Sequence, residues 1–372
     1  MNNNSYTEKE IYQQPEMWKQ VFEMFESNKG EYQNLATKYK DYKIILTGAG
    51  TSQFVGDTIY NYFIEKGLDI HSIATTSIVV NPLKYIKKDE KVLLVSYARS
   101  GNSPESVAAV ELVNQVSKNA HHIVVTCNEQ GELYKLKDVL KNMDAILLPP
   151  ETNDKGFAMT SSFSSMLLAS SLLFSYMVKD DSFDKFNKFY ELANNTLNKA
   201  EEFTNIIDLK NIDRLVFLGD CEFYGLTKEA RLKLLELTQG TYATFYDTFL
   251  GFRHGPKSIL SDKTLIFFLM SSESRMRNFE QDLIEEIYDE NKVNNLFVLE
   301  NSSNNKNFDR VQYINLENNE LNNIYIALHY IMFFQIFALR QSEKQGFTPD
   351  NPCPTGEVNR VVKKFTVYKG EF

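Results

Sequence analysis

The sequence is poor in the residues that build disulfide scaffolds and metal centres. Its 372 residues include three cysteines, Cys127, Cys221 and Cys353, which lie far apart and form no C-x-x-C pair. We therefore expect neither a disulfide framework nor a zinc site, which fits a reducing, cytoplasmic location. The five histidines show no H-x-H or H-x-x-x-H spacing, so the sequence predicts no metal and no other cofactor.

Long apolar runs are also missing. No uninterrupted run reaches the roughly 18–20 residues that a membrane span needs, so no membrane partner is expected. Residues 1–18 (MNNNSYTEKEIYQQPEMW) lack the basic start and apolar centre of a secretory signal. The formal net charge of −9 argues against a nucleic-acid partner, because neutralising phosphates needs a basic surface. A small anionic substrate in a locally positive pocket remains compatible with that charge.

The sequence is rich in short apolar strands that lead into Gly- or Ser-containing loops and then into helices. The candidate strands are KIILT, KVLLVSYA, HHIVVTC, DAILL, RLVFL, KTLIFFLM and NNLFVLE. Continuous apolar strands alternating with helices indicate parallel sheets with helices on both faces. Because the strand–loop–helix unit occurs in both halves of the chain, we predict two α/β domains of one kind, produced by an internal duplication.

The same pattern gives the predicted domain boundaries. Residues 1–36 form a helical segment, since Trp18, Val21 and Phe25 recur at helical spacing. The two α/β domains are expected at residues 37–190 and 200–345. Residues 346–372 are expected to form an irregular tail.

Three predicted strand-to-helix junctions carry donors for an anion. They contain Thr51 and Ser52, then Arg99, Ser100 and Ser103, and then Thr160. Each could by itself be an ordinary turn with a Ser or Thr helix cap, and the first lacks the third glycine of a dinucleotide fingerprint. Adjacent parallel strands bring such loops together at one edge of a sheet, so the set suits a phosphate monoester.

The segments GTS (50–52) and RSGNSPE (99–105) resemble the corresponding motifs of the sugar isomerase (SIS) domain family. Two such domains in tandem resemble the isomerase half of glucosamine-6-phosphate synthase, over roughly residues 40–372. The resemblance implies two flavodoxin-like, doubly wound domains. It also implies that one set of residues binds the phosphate of a hexose 6-phosphate substrate: Thr51, Ser52, Arg99, Ser100, Ser103 and Thr160.

The catalytic assignments also come from the resemblance. In RLKLLELTQGTYATFYDTFLGFRHGPKSIL (231–260), Glu236 matches the family's proton-shuttling carboxylate and His254 its ring-opening histidine. NRVVKKFTV (359–367) resembles the family's tail that closes over the sugar, which makes Lys363 the active-site lysine and Lys364 the second choice. In the related synthase the equivalent histidine enters the neighbouring subunit's site. The resemblance therefore implies a homodimer in which His254 crosses the interface.

These residue types suit aldose–ketose isomerisation. Opening a pyranose moves a proton between O1 and O5, which an imidazole can do near neutral pH. A carboxylate can then carry hydrogen from C2 to C1. Without the resemblance, Glu236 would be an ordinary solvated helix residue and His254 an ordinary turn residue.

The expected reaction runs toward ammonia release, because no N-terminal glutaminase cysteine is present and the first cysteine is Cys127. Four segments look like the tagatose-6-phosphate ketose/aldose isomerase group: ARSGNSPESVAAV, GFAMTSSF, FLGFRHGPKS and NPCPTGEVNRVV. This likeness implies conversion of galactosamine 6-phosphate to tagatose 6-phosphate and ammonia. The alternatives are a hexose-6-phosphate ketose/aldose isomerase without deamination, a fructosamine-6-phosphate deglycase, and a non-catalytic sugar-phosphate sensor.

Overall fold

A computed structural model of the chain describes residues 5–301, 308–317, 320–360 and 366–368. The chain divides into two compact units. The first-sheet unit comprises Glu16–Phe183 with Cys353–Phe372, and the second-sheet unit comprises Met1–Pro15 with Asp184–Pro352. Each unit therefore combines two stretches that are distant in the sequence.

Three helices precede the first strand: α1 (Tyr6–Tyr12), α2 (Gln14–Ser27) and α3 (Lys29–Tyr39). The remaining main elements of the first-sheet unit then follow in chain order: β1 (Lys43–Thr47), α4 (Thr51–Glu65), β2 (Ile70–Ser72), α5 (Thr75–Val80), β3 (Val92–Ala98), α6 (Pro104–Val116), β4 (Ala120–Thr126), α7 (Glu132–Lys135), β5 (Met143–Leu147) and α8 (Ser161–Val178).

The first sheet has the strand order β2-β1-β3-β4-β5, and every neighbouring pair is parallel. This is the flavodoxin-like order that the resemblance implies. All seven residues of β3 are buried, as expected for a central strand covered on both faces. In the register of β1 with β3, Thr47 pairs with Ser96, so the loops that follow these two strands emerge side by side.

The second-sheet unit contains α1 and the following later elements: α9 (Phe186–Ile206), β6 (Arg214–Leu218), α10 (Glu222–Leu237), β7 (Ala243–Asp247), α11 (Phe249–Phe252), β8 (Thr264–Leu269), α12 (Ser274–Glu290), β9 (Asn295–Glu300), β10 (Val311–Asn315) and α13 (Asn323–Lys344). Its five parallel strands run β10-β9-β8-β6-β7. Counted from β6, this repeats the order of the first sheet, so the predicted α/β fold class is confirmed for both units.

Three strands, β2, β7 and β10, were not predicted from the sequence. Each lies at the edge of a sheet. The five residues of β7 are all exposed or half-buried, and β2 and β10 are buried at only some positions. A strand with one free edge carries polar residues, so it lacks the continuous apolar run by which the central strands were recognised.

Two helices are long and apolar enough to cross a membrane by length and composition, although neither is an uninterrupted apolar run. They are α8, with 18 residues, and α13, with 22. Within these helices 83% and 94% of the residues in the apolar window are buried inside the protein. A helix that is apolar on all faces must be buried, and the extent of burial here is that of a core helix in a globular unit.

The turn that leads from the first strand into the following helix has the same backbone in both units. Gly50 precedes α4 with φ +57° and ψ −129°, and Cys221 precedes α10 with φ +50° and ψ −116°. The positive φ suits glycine, whereas in Cys221 it strains a side chain. Both units therefore build the same sharp strand-to-helix turn, and only the first builds it with the residue that the turn favours.

Candidate active site

The loop after β1 places the N-terminus of α4 at the edge of the first sheet. A side chain at Gly48 would lie 2.4 Å from the backbone carbon of Ser52, so the chain must approach itself closely here. Thr51 and Ser52 open the 15-residue helix α4 and are 5% and 7% exposed. The N-terminal end of a helix presents backbone N–H groups and partial positive charge, which favours an anion.

The loop after β3 lies next to it and carries Ser100 and Ser103. Gly101 has φ +67°, and Asn128 Nδ2 donates to the Ser100 carbonyl at 2.8 Å. Ser103 precedes α6 as its cap residue, but its hydroxyl makes no capping bond to the helix. Both serine side chains are half-buried. The two loops together therefore offer hydroxyl groups at the point where the strand order of the sheet reverses.

The start of α8, where Thr160 lies, is already occupied by a carboxylate. Asp154 is fully buried and accepts hydrogen bonds from the backbone N–H groups of Thr160, Ser161 and Ser162, at 2.8, 3.1 and 2.9 Å. The hydroxyls of Thr160 and Ser162 also donate to it, at 3.1 and 2.5 Å. Sequence reasoning missed Asp154, because it lies six residues before Thr160, the N-cap residue, and so outside the usual capping position.

The segment that leads into α8 also contacts the loops that follow β1 and β3. Ser52 Oγ lies 3.8 Å from Met159 Sδ. The Arg99 side chain is 6% exposed and donates to the carbonyls of Gly156 and Phe157 at 3.4 and 3.2 Å. The structure thus brings the predicted phosphate-binding residues of the first-sheet unit into one neighbourhood, with the Arg99 guanidinium bonded to backbone carbonyls.

In the second-sheet unit, α10 carries Glu236 next to a buried ammonium. Lys233 Nζ lies 2.6 Å from Glu236 Oε2 and 3.3 Å from Glu229 Oε1. The side chains of Lys233 and Glu229 are fully buried, whereas that of Glu236 is 23% exposed. Burial by itself lowers the pKa of Lys233, but the two carboxylates outweigh it and hold that pKa above its usual value.

Sequence reasoning named Glu236 and left out its partner. Lys233 is part of the K-L-x-E pattern on which the assignment of Glu236 was based, so the signal was present. The i, i+3 spacing places the two side chains on one face of the helix. The charged ammonium therefore holds the Glu236 carboxylate against the helix, while 23% of that side chain remains exposed.

His254 follows the short helix α11 and is exposed. Its backbone N–H donates to the Gly251 carbonyl at 2.9 Å, and Gly255 beyond it has φ +121°. Ion pairs on either side hold this loop to α12: Arg253 Nε lies 2.7 Å from Glu286, and Lys257 also pairs with Glu286. The Lys257 ammonium holds the pKa of Glu286 below its usual range. The loop is therefore anchored while the imidazole itself reaches solvent.

As far as the structure describes them, the predicted catalytic residues of the second half of the chain are not joined into one group. Glu236 and His254 lie on separate elements, and no hydrogen bond joins them within the described part of the chain. Lys363 and its alternative Lys364 lie outside the described residues. Among residues 5–301, 308–317, 320–360 and 366–368, no group of three or more His, Cys, Asp or Glu side chains is placed to hold a metal ion.

The corresponding edge of the second sheet is filled by the protein's own carboxylates. Glu280 accepts the backbone N–H of Ser271, just after β8, at 3.0 Å, and burial raises its pKa to about 8. Asn323 donates to Glu222 at 3.1 Å and accepts from the Ser272 hydroxyl at 2.5 Å. A phosphate placed here would meet buried carboxyl groups, so the first sheet offers the better anion site.

Comparison with known proteins agrees with this architecture. The family model described as "SIS domain" matches residues 39–176. The D-galactosamine-6-phosphate deaminase AgaS of Shewanella sp. (strain ANA-3) is 36% identical over 370 residues, which cover 98% of this chain and 92% of that protein. Tagatose-6-phosphate ketose/aldose isomerase from Escherichia coli is 35% identical in its crystal structure, with a TM-score of 0.86 over 94% of this chain and 95% of that one.

A more distant structure shares the fold alone. Glucosamine-6-phosphate deaminase from Thermotoga maritima is 23% identical, with a TM-score of 0.75 over 96% of this chain and 99% of that one. Together with the matching strand order of the two sheets, the near-complete coverage by relatives more than a third identical settles the family. This chain belongs to the SIS domain family, in the group that contains the AgaS proteins.

Proposed function

We propose that this protein is a cytoplasmic deaminase/isomerase that converts galactosamine 6-phosphate to tagatose 6-phosphate and ammonia. The observation that carries the proposal is the carboxylate of Glu236, partly exposed and fixed 2.6 Å from a buried ammonium. An oriented carboxylate is the group that a proton transfer between adjacent carbons requires. The name of the AgaS relative from Shewanella supplies the substrate.

The phosphate of the substrate is assigned to the first-sheet unit. Thr51 and Ser52 at the start of α4, with Ser100 and Ser103 in the next loop, supply hydroxyl and backbone donors. Thr160 lies at the start of α8 beside these loops, and its hydroxyl hydrogen is given to Asp154. Arg99 adds positive charge beside the same loops.

The proposed chemistry begins with ring opening. His254 moves a proton from O1 to O5 while the C1–O5 bond breaks, which leaves a C1 aldehyde and an amine on C2. Lys363 is assigned to the same step, at the ring oxygen.

Glu236 then removes and holds the C2 proton, and the electron pair forms a C1–C2 enolamine with negative charge on O1. Return of that proton from Glu236 to C1, with transfer of one amine proton to O1, gives a C2 ketimine with a hydroxyl group on C1. One water molecule adds to C2 and ammonia leaves, which yields the ketose. Lys233 holds the Glu236 carboxylate in place during both transfers. Because the ammonium is buried, water does not compete with it for the carboxylate.

A homodimer is part of the proposal. The exposed His254 loop lies near two large apolar side chains in sequence, Phe245 and Leu250, which are 44% and 41% exposed. Pairing with a second copy would cover such a surface. It would also carry His254 to a neighbouring subunit, as the resemblance to the synthase implies.

The test is ammonia release from galactosamine 6-phosphate and from glucosamine 6-phosphate, for the wild type and for Glu236→Gln. We expect rapid release from the galacto sugar and a loss of at least about a hundredfold in the variant. Glu202→Gln, an exposed change on α9, is the control and should keep full activity. Release from the gluco sugar alone would retain the mechanism and change the substrate.

A second candidate is a ketose/aldose isomerase without deamination, favoured by the name of the Escherichia coli structure. It predicts interconversion of tagatose 6-phosphate with its aldose in the absence of any amine. If no ammonia is released from either amino sugar while this interconversion proceeds, the deaminase proposal is wrong.

A further inference from the structure

The guanidinium of Arg99 bridges two backbone segments of the first-sheet unit. Nη1 donates to the carbonyls of Gly156 and Phe157, in the segment that leads into α8. Nη2 donates to the carbonyl of Arg360, in the C-terminal tail, at 3.2 Å. The side chain is 6% exposed, so these bonds lie largely away from solvent. Arg99 thus joins the tail to the loops assigned to phosphate binding.

We propose that Arg99 is a positioning residue, which anchors the C-terminal tail to the phosphate-binding loops, rather than a direct ligand of the phosphate. This inference rests on the proposed function and adds to it a specific role for one residue. The anchored carbonyl belongs to Arg360, three positions before Lys363 in the sequence. An anchor at that point limits how far the following residues can depart from the loops.

The chemistry of the side chain fits an anchor. A planar guanidinium presents donors on two nitrogens in a fixed fork, so it can reach two segments at once, whereas a lysine ammonium is a single point. Hydrogen bonds from a charged donor are stronger than neutral ones, and more so when they are buried. Arg99 also follows β3 directly, and all residues of that strand are buried. The backbone from which the Arg99 side chain extends is therefore held firmly.

The partners of Arg99 in the tail and in the α8 approach are backbone carbonyls. Such contacts depend on the path of the chain and not on the side chain at position 360. The path of the α8 approach is fixed independently, by the five hydrogen bonds to Asp154. The tail is therefore held against a segment that cannot easily move with it.

Limited trypsin digestion of the full-length protein, without substrate, tests the anchor. Trypsin can cut after Arg360 and at the lysines beyond it, and intact mass reports which bond is cut. We expect Arg99→Lys and Arg99→Gln to raise the rate of these cuts by about tenfold or more, because the tail opens locally once its charged hydrogen bonds are lost. Ser103→Ala, which alters the phosphate loop but not the tail contact, should be cut like the wild type.

Cleavage elsewhere in the chain serves as the internal reference. A variant that has simply lost its fold would be cut throughout, so the ratio of tail cuts to other cuts is the quantity compared. Arg99→Lys keeps the positive charge, so its tail cleavage is the result that tests the anchor if Arg99→Gln does not fold. Tail protection equal to the wild type in a folded Arg99→Lys variant would overturn the proposal.

Kinetics with galactosamine 6-phosphate separates the two roles of Arg99. An anchor predicts that Arg99→Lys lowers kcat with little change in KM, because the phosphate ligands are intact. A direct ligand predicts the opposite, a raised KM with a normally protected tail. The digestion needs no substrate, so it remains informative even if the protein acts on a different sugar phosphate.

Discussion

Lys233 joins two carboxylates of its own helix, Glu229 one turn before it and Glu236 one turn after it. The ammonium and the Glu229 carboxylate are both fully buried, while the Glu236 side chain is 23% exposed. One pair therefore compensates charge inside the protein, and the other leaves a carboxylate partly exposed, where the proposed function places the substrate. The stability of α10 and the orientation of Glu236 depend on the same cation.

The first prediction concerns Lys233→Met. Removing the cation deletes the 3.3 Å ion pair of the fully buried Glu229 carboxylate, which should lower the free energy of unfolding by about 3–5 kcal/mol. Urea denaturation measures this loss. The double variant Lys233→Met/Glu229→Gln should recover most of the stability but not the ammonia release, since Glu236 still lacks its partner. Unchanged stability in the single variant would contradict the charge-compensating role of Lys233.

The second prediction concerns Asp154→Asn. The amide replaces one carboxylate oxygen with a donor that faces N–H groups, so several of the five hydrogen bonds are lost. We expect the free energy of unfolding to fall by about 2–4 kcal/mol, and the affinity for tagatose 6-phosphate to fall as the start of α8 loosens. Calorimetry measures both. Asp181→Asn, an exposed change in the same unit, should alter neither.

The third prediction concerns pH. Burial raises the pKa of Glu280 to about 8, above its value in the unfolded chain, so between about pH 4.5 and pH 8 the folded state binds more protons at this residue. Its contribution to stability is therefore present at low pH and is lost as the pH rises toward 8. Glu280→Gln should remove this dependence and be more stable than the wild type at pH 8, by on the order of 1–3 kcal/mol.

Urea denaturation of the wild type and Glu280→Gln at several pH values checks this sign. Glu300, whose pKa burial raises to about 7, remains in both proteins and so does not affect the difference. Parallel stability curves for the two proteins from pH 5 to pH 8 would show that Glu280 is ionised in the folded state.

The fourth prediction tests donation of His254 across a dimer. Glu236→Gln and His254→Asn should each be inactive as pure proteins. If each site takes Glu236 from one subunit and His254 from the other, a mixed dimer has one intact site. Unfolding and refolding the two variants together in equal amounts should then restore about a quarter of the wild-type activity, from the statistics of pairing. No recovery from a mixture shown to contain mixed dimers would place both residues in one subunit.

The central strands were predictable because burial on both faces leaves a direct trace in the sequence. The segments KIILT and KVLLVSYA are apolar nearly throughout, and they form β1 and β3. The edge strand β7 leaves no such trace, because its residues are exposed or half-buried. Its identity follows from pairing with β6, which is a property of the folded chain.

The candidate site divides in the same way. Sequence and resemblance were enough to name Glu236, His254 and the hydroxyl-bearing loops, because their spacing in the chain is distinctive. The role of Lys233 as the partner of Glu236 required the geometry of α10. Likewise, only the structure showed that Asp154 already accepts hydrogen bonds from the donors at the start of α8, including Thr160.

The sequence by itself determined the fold class, the family and the residue types that the proposed chemistry needs, since these depend on local apolar patterns and on short motifs. The tertiary structure decided which carboxylate a buried cation holds and which helix start is already capped. It also showed that Arg99 reaches the tail. The bond from Arg99 to the Arg360 carbonyl joins residues 261 positions apart, which only the close packing of the folded chain brings into contact.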